Sequence, residues 1–220
     1  MMDPLEFWTL CNANGILLSR DQVATFERFH NELIYWNERV NLISRKDMDN
    51  IWVRHFMHSL SIVKAQLLQE KAQCIDVGCG GGFPGIPIGI ARPDLSISMV
   101  DSIAKKMKLT SMFAEHTGQR NFTSYTSRME DLAHNKQLLS YYDYVIARAV
   151  APITSLIAWT KPLLKKNGSY IFLKGGDLTL EKHDAVVAFP NVIIEEHPIN
   201  WNGIEWFAQE DKKIVICSFS

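Results

Sequence analysis

The residues best suited to chemistry lie in one stretch, Cys74-Ile75-Asp76-Val77-Gly78-Cys79-Gly80-Gly81-Gly82-Phe83-Pro84-Gly85, where five glycines fall within eight positions. Apolar residues run into an acid, then into the glycines, and Ile86-Pro87-Ile88-Gly89-Ile90-Ala91 follows. That order predicts a buried strand, a tight turn and a short helix. Glycine belongs where the backbone takes positive φ, or where a ligand must touch the main chain with no Cβ between them. In an α/β sheet such a turn sits at the carboxyl end of a strand, where ligands bind. The spacing Gly78-x-Gly80-x-Gly82 is not the G-x-G-x-x-G of dinucleotide sites, and no Lys-Ser/Thr pair closes it into a P-loop. A glycine turn alone is also compatible with a purely structural role.

The next acid adds what the turn lacks. Ser96-Ile97-Ser98-Met99-Val100 predicts a second strand with Asp101 at its end. An acid about 20 residues beyond a glycine turn is placed to receive ribose hydroxyls. With Asp76 in the first strand as well, the pattern resembles the S-adenosylmethionine fold rather than a nicotinamide fold.

Positioning these residues needs a sheet, and the sequence supplies one from Gln73 onward. Strands are predicted at Gln73–Val77, up to Asp101, at Phe122–Thr126, Tyr144–Ala147, Ser169–Leu173, Val192–Glu196 and Ile214–Cys217. Helices are predicted between most of them: one stopped before Arg92-Pro93, one from about Ile103 to Gly118, one from Pro152 to near Gly168, and one near Leu178–Phe189. Alternating strands and helices imply a mostly parallel sheet covered on both faces. No helix separates the last two strands, so the final one is expected to enter antiparallel.

Before Gln73 the period is helical. Asp3-Pro4-Leu5-Glu6 and Ser19-Arg20-Asp21-Gln22 are helix starts. Phe26, Phe29, Leu33, Trp36 and Val40 then form one apolar stripe. A third helix is expected from about Asn50, burying Val53, Phe56, Leu60, Val63 and Leu67. Arg54, His55 and His58 lie off that stripe, and a solvated face is the plain expectation for them. Residues 1–70 are therefore expected to cap a domain formed by residues 71–220.

The chain has 220 residues and a net charge of −1. It can bury a full core, and a sequence-indifferent nucleic-acid binder would be more basic. Cys11, Cys74, Cys79 and Cys217 form no C-x-x-C, so free thiols are expected and no metal. No apolar run spans a bilayer, and the acidic, aromatic N-terminus does not read as a signal peptide. A cytoplasmic protein without a membrane partner is expected.

At the carboxyl ends of the predicted strands stand the Gly78–Phe83 turn, Asp101-Ser102, Ser127-Arg128-Met129-Glu130-Asp131, Arg148 and Lys174-Gly175. An adenosine cofactor needs such a set: a carboxylate for the ribose, apolar side chains around the adenine, and polar groups at its edge. Met129 by itself would be core packing and Glu130 a helix first turn; at this location the two together suit adenine.

Several of these segments together resemble the bacterial glucose-inhibited division protein B family, the small-subunit ribosomal RNA guanine-N7 methyltransferases. The likeness is carried by Asn41-Leu42-Ile43-Ser44, Arg54-His55 with Ser59, Ile75-Asp76-Val77-Gly78-x-Gly80-x-Gly82-Phe83-Pro84-Gly85-Ile86-Pro87, Val100-Asp101-Ser102, Ser127-Arg128-x-Glu130, Ala147-Arg148-Ala149 and Leu173-Lys174-Gly175. It spans about Asn37 to Gly176. The chain departs from the family pattern at His58, where an acid is usual. The resemblance implies a class I S-adenosylmethionine-dependent methyltransferase fold: a seven-stranded, mostly parallel sheet with an N-terminal helical cap. It implies S-adenosylmethionine as donor, with contacts on Gly78, Phe83, Met129, Glu130 and Arg148; Gly80, in the same turn, is a further candidate, and Asp101 joins them from the ribose argument.

The chemistry agrees with that likeness. Strand four ends Ile146-Ala147-Arg148-Ala149 rather than in an Asn-Pro-Pro-Tyr type motif. Guanine N7 carries an in-plane lone pair and no proton, so methylation there needs alignment rather than a general base. Guanine N7 and O6 are acceptors that Arg or Lys can match. Arg148 or Lys174 is therefore expected at the base, and Arg54, His55 and Arg128 at RNA phosphates. With the chain nearly neutral overall, long-range attraction for phosphate is weak, and the expected partner is ribosomal RNA in an assembled or partly assembled small subunit. Two other readings compete: a methyltransferase of another substrate, and a cofactor-binding module without catalysis.

Overall fold

Two periods, helical before Gln73 and alternating after it, become two layers around a sheet. In this computed structural model, which describes residues 2–219, helices α1 (Pro4–Ala13) and α2 (Arg20–Asn37) come first. A 3₁₀ turn at Arg45–Asn50, a π turn at Trp52–Met57 and α3 (His58–Lys64) follow. The starts are the expected ones. Asp3 accepts the Glu6 amide at 2.8 Å, and Ser19 and Gln22 cap each other's backbone at 3.2 and 2.8 Å.

The rest is β1 (Gln73–Val77), α4 (Gly85–Ala91), β2 (Ser96–Asp101), α5 (Ala104–His116), β3 (Phe122–Thr126), α6 (Met129–Leu132), β4 (Tyr142–Arg148), α7 (Ile153–Thr160), β5 (Leu164–Gly175), α8 (Thr179–Ala188), β6 (Val192–Pro198), α9 (Trp206–Gln209) and β7 (Lys212–Phe219). The seven strands lie in the order β3-β2-β1-β4-β5-β7-β6. All neighbours are parallel except β7, which runs antiparallel to β5 and to β6. The order reverses between β1 and β4, and a ligand crevice opens above such a switch point.

Strand alternation sorts side chains onto two faces. Cys74, Ile97, Met99, Ile146, Ile171, Leu173 and Ile214 face a core built with α1–α5. Ile75, Val77, Val100, Val145, Ala147, Phe172 and Val215 face another, built with α7 and α8. The N-terminal helices are joined to the sheet through aromatic rings. Phe26 and Phe56 lie 5.4 Å apart, as do Phe29 and Phe83, and Phe29 and Phe113. The glycine turn, which carries Phe83, is thus packed against α2 and α5.

Three expectations are corrected. The third helix is not one stripe with a solvated back. Its π turn and α3 bury Trp52, His55, Phe56, Met57, His58, Ser59, Leu60, Ser61 and Ile62. It is enclosed on more than one side: Phe56 packs on α1 and α2, and Ser61 accepts the Trp201 indole N–H at 2.9 Å. The helix after Pro152 stops at Thr160 rather than near Gly168, because β5 already begins at Leu164 and Gly168 sits within it, where the pairing to β4 shifts register. Helix α9 was not anticipated, being only four residues long. Among the described residues no helix is long and apolar enough to cross a membrane.

Candidate active site

A cavity of about 900 Å³ opens at the carboxyl ends of the parallel strands. One arm lies over β1, β2 and β3. Cys79 donates its amide to Val100 O at 3.0 Å, tying the glycine turn to β2. Gly80 donates its amide to Asp101 Oδ2 at 3.1 Å, and the Thr110 hydroxyl donates to Gly80 O at 2.7 Å. Gly78 and Gly80 take φ of +65° and +54°. The two differ in their surroundings. A Cβ on Gly78 would stand 2.7 Å from a Val150 methyl, whereas one on Gly80 would meet nothing nearer than Leu42 O at 3.8 Å. Asp101 Oδ1 accepts the Ile103 amide at 2.8 Å. Each Asp101 oxygen thus holds one backbone N–H and keeps a further lone pair. Met129 is 6% exposed and Glu130 is open to solvent at the start of α6; both line this arm, as does Arg128.

Beneath the turn, Asp76 is fully buried and accepts the Gly85 amide on Oδ2 at 2.7 Å. Burial pushes its carboxyl up to about 8, against the pull of that amide and of Arg148.

The second arm lies over β4, β5 and β7. Asp76 pairs with Ile146 in the sheet, so Arg148, two residues on, projects from the same face toward the N-terminal helices. Its Nη1 donates to Arg54 O at 3.1 Å and its Nη2 to His55 Nδ1 at 2.7 Å. Its guanidinium lies 4.7 Å from the Phe83 ring centroid. Every guanidinium nitrogen is a donor, so His55 Nδ1 accepts and the imidazole proton is on Nε2. That nitrogen faces Asp47 Oδ2 at 3.4 Å, and Asp47 Oδ1 is 2.7 Å from Arg54 Nη1. Burial, then the Arg148 charge, lowers His55 to about 4, so the ring is neutral at pH 7. Asp47 is held below the usual carboxylate range by the facing His55 and by Arg54. Burial also lowers Arg148, to about 10, and it remains charged.

The predicted residues therefore gather in one cavity: Gly78, Gly80, Phe83, Asp101, Arg128, Met129, Glu130, Arg148, Arg54, His55 and Lys174 all line it, together with His58. Four of them do so differently from expectation. His55 and His58 are each 6% exposed rather than on a solvated face; His55, expected at a phosphate, instead supports Arg148. Phe83 is 2% exposed, and its ring is a platform for Arg148. Lys174 projects from the opposite face of β5, because Leu173 takes the near face. Its Nζ is ion-paired with Glu181 and donates to Ala151 O at 2.7 Å, so it is not a free cation for RNA.

Sequence reasoning missed Asp47, Trp206 and Lys212, which also line the cavity. Lys212 was legible in principle: Ile214 faces the N-terminal core, and period two puts Lys212 on that face too.

Known proteins agree with this architecture and give it a family. The sequence model of the GidB family, described as rRNA small subunit methyltransferase G, matches residues 22–195. The chain belongs to this family. It is similar to the ribosomal RNA small subunit methyltransferase G of Christiangramia forsetii, with 40% identity over 76% of this chain and 79% of that one. The protein of the same description from Flavobacterium psychrophilum is 35% identical over 90% of this chain and 91% of its own length. Among solved structures, precorrin-6y C5,15-methyltransferase from Geobacter metallireducens superposes with a TM-score of 0.55 at 15% identity, covering 82% of this chain and 92% of that one. That likeness bears on the fold: this family member has the seven-stranded methyltransferase architecture with N-terminal helices added.

Proposed function

We propose that this GidB family protein transfers a methyl group from S-adenosylmethionine to N7 of one guanine in small-subunit ribosomal RNA. The observation that carries the reading is the cavity with two arms, a glycine-and-carboxylate arm on one side of the switch point and a cationic, aromatic arm on the other. It lies within a chain that the family matches over residues 22–195.

S-adenosylmethionine fits the first arm. Space beside Gly80 lets a ligand approach the main chain, the spare Asp101 lone pairs suit ribose hydroxyls, and Met129 with Glu130 suits the adenine face and edge. When bound, the cofactor supplies an electrophilic methyl on a sulfonium. The protein's own task is then alignment and exclusion of water. N7 has no proton to lose, so no side chain need act as a base. Arg148 keeps three N–H groups beyond the two engaged with Arg54 and His55. These suit the acceptors on guanine's N7/O6 side and the carboxylate end of the cofactor. Arg54 and Arg128 at the rim suit phosphates.

With a net charge of −1, long-range attraction for RNA is weak. A few local cations position an RNA only when its shape presents phosphates to them together. The substrate is accordingly the assembled or partly assembled small subunit rather than naked RNA. The test is methyl transfer from labelled cofactor to small subunits, to their extracted RNA and to a short hairpin. Transfer to subunits well above the other two, with 7-methylguanine as the product on mass mapping, is expected. Equal transfer to the hairpin would overturn the substrate form. Label on another atom, or none on RNA, would overturn the reaction.

A further inference from the structure

We propose that Trp206 and Lys212 form the wall that takes the target nucleotide, the indole stacking on the extruded guanine and Lys212, with Arg54, meeting its phosphates. The inference rests on the methyl-transfer reading and deepens it. Both residues lie beyond position 195, where the family match ends.

Distance separates this wall from the cofactor arm. Asp101 ends β2 and Lys212 begins β7, and β1, β4 and β5 stand between those strands. At about 4.8 Å per strand the two positions are roughly 19 Å apart. Adenosine placed at Asp101 and Glu130 directs the rest of the cofactor toward β1 and β4, which leaves the β5–β7 side for the methyl acceptor.

The wall has the chemistry of a nucleotide site. Trp206 is partly exposed and lines the cavity. Its plane is fixed by T-shaped contacts with Phe207 at 5.0 Å and His58 at 5.8 Å. Lys212 Nζ and Arg54 Cζ lie 5.3 and 5.8 Å from the indole centroid, near the outer limit of cation–π contact, about 6 Å. Lys212 is therefore loosely held at the ring and free to turn toward anions, while Arg54, anchored to Asp47 at 2.7 Å through Nη1, has only its remaining N–H groups to offer. Lys212 is only distantly paired, 3.9 Å from Glu210. An enzyme acting on a base atom inside folded RNA must take that base out of its stack, and an aromatic face repays part of the cost. Cations beside a stacked base can meet the backbone that carries it.

The test uses the full chain with small ribosomal subunits. Trp206→Ala is expected to raise KM for subunits about tenfold or more, and Trp206→Phe, which still stacks, to stay within about threefold of the parent. Lys212→Gln should raise KM and make the logarithmic salt slope shallower by about one. Calorimetry should find S-adenosylmethionine affinity unchanged in all three. A second readout does not need turnover. With S-adenosylhomocysteine bound, guanosine 5′-monophosphate should quench tryptophan emission in the parent, and that quenching should vanish in Trp206→Phe. Parent-like KM and kcat in Trp206→Ala, or full quenching in Trp206→Phe, overturns the inference. So does a loss confined to Lys212→Gln, which would mean backbone contact without stacking. If Trp206→Ala does not fold, the quenching comparison decides. A parent enzyme that methylates no subunit overturns the methyl-transfer reading instead, and the quenching result still reports on the wall.

Discussion

His55 holds Arg148 by accepting a hydrogen bond, and only the unprotonated imidazole can do so. Its pKa falls to about 4 in the folded protein, against about 6.5 in an unfolded chain. The folded state therefore binds fewer protons between those values. The stability His55 contributes is complete above about pH 6.5 and is lost as pH falls toward 4, by on the order of 3 kcal/mol. His58, lowered chiefly by burial, adds in the same direction. His55→Asn keeps an acceptor for Arg148 but does not titrate. We expect its melting temperature to fall less steeply than the parent's between pH 7 and 4.5; identical slopes in thermal melts would sink this account. Arg148 was legible as a basic residue at a strand end. Asp47, which faces His55 and Arg54 rather than Arg148 itself, was not, lying in a short polar turn with no periodicity to place it. Lys174 shows the reverse: its position along the strand was right, but its side follows from period two, since Leu173 already occupies the face that Arg148 uses.

At the scale of elements, the glycine turn does two jobs at neighbouring positions. Gly78 and Gly80 both have positive φ, so alanine at either costs about 1–2 kcal/mol in backbone strain. At Gly78 the added methyl must also displace Val150, 2.7 Å away, while at Gly80 there is room. Gly78→Ala should therefore lower the melting temperature more. Gly80→Ala should keep more of the stability and lose S-adenosylmethionine affinity, because its methyl stands where the ligand approaches. A cofactor titration beside a thermal melt for each variant checks this; unchanged affinity in Gly80→Ala would mean that the turn does not touch the cofactor. All seven strands were legible because short apolar runs bounded by Gly, Pro or Asn leave few other structures open. The π turn was not, since Trp52, Phe56 and Met57 are apolar around the helix and a stripe can be drawn through them at several offsets. Helix α9 was hidden for a plainer reason: four residues are too few to show a period.

Across the whole molecule, two cores on either face of one sheet bring the N-terminal helices, the glycine turn and the last strand to the same cavity. The methyl-acceptor side depends on β7, which carries Lys212 and borders α9 with Trp206. Strand β7 follows β6 in the chain but lies between β5 and β6 in space. During synthesis, β5 must therefore wait as a raw edge while β6 is made with nothing to pair against, until β7 emerges and inserts between them. An exposed edge that carries Tyr170, Phe172 and Leu173 invites pairing with other chains. A chain cut after Asp211 should collect in the insoluble fraction, and co-expressing the missing strand or a holding chaperone should return part of it to solution; a soluble, monomeric truncation would refute this. The order of birth thus runs against the order in space, and the wall proposed to receive the nucleotide is complete only once β7 has found its place between two older strands.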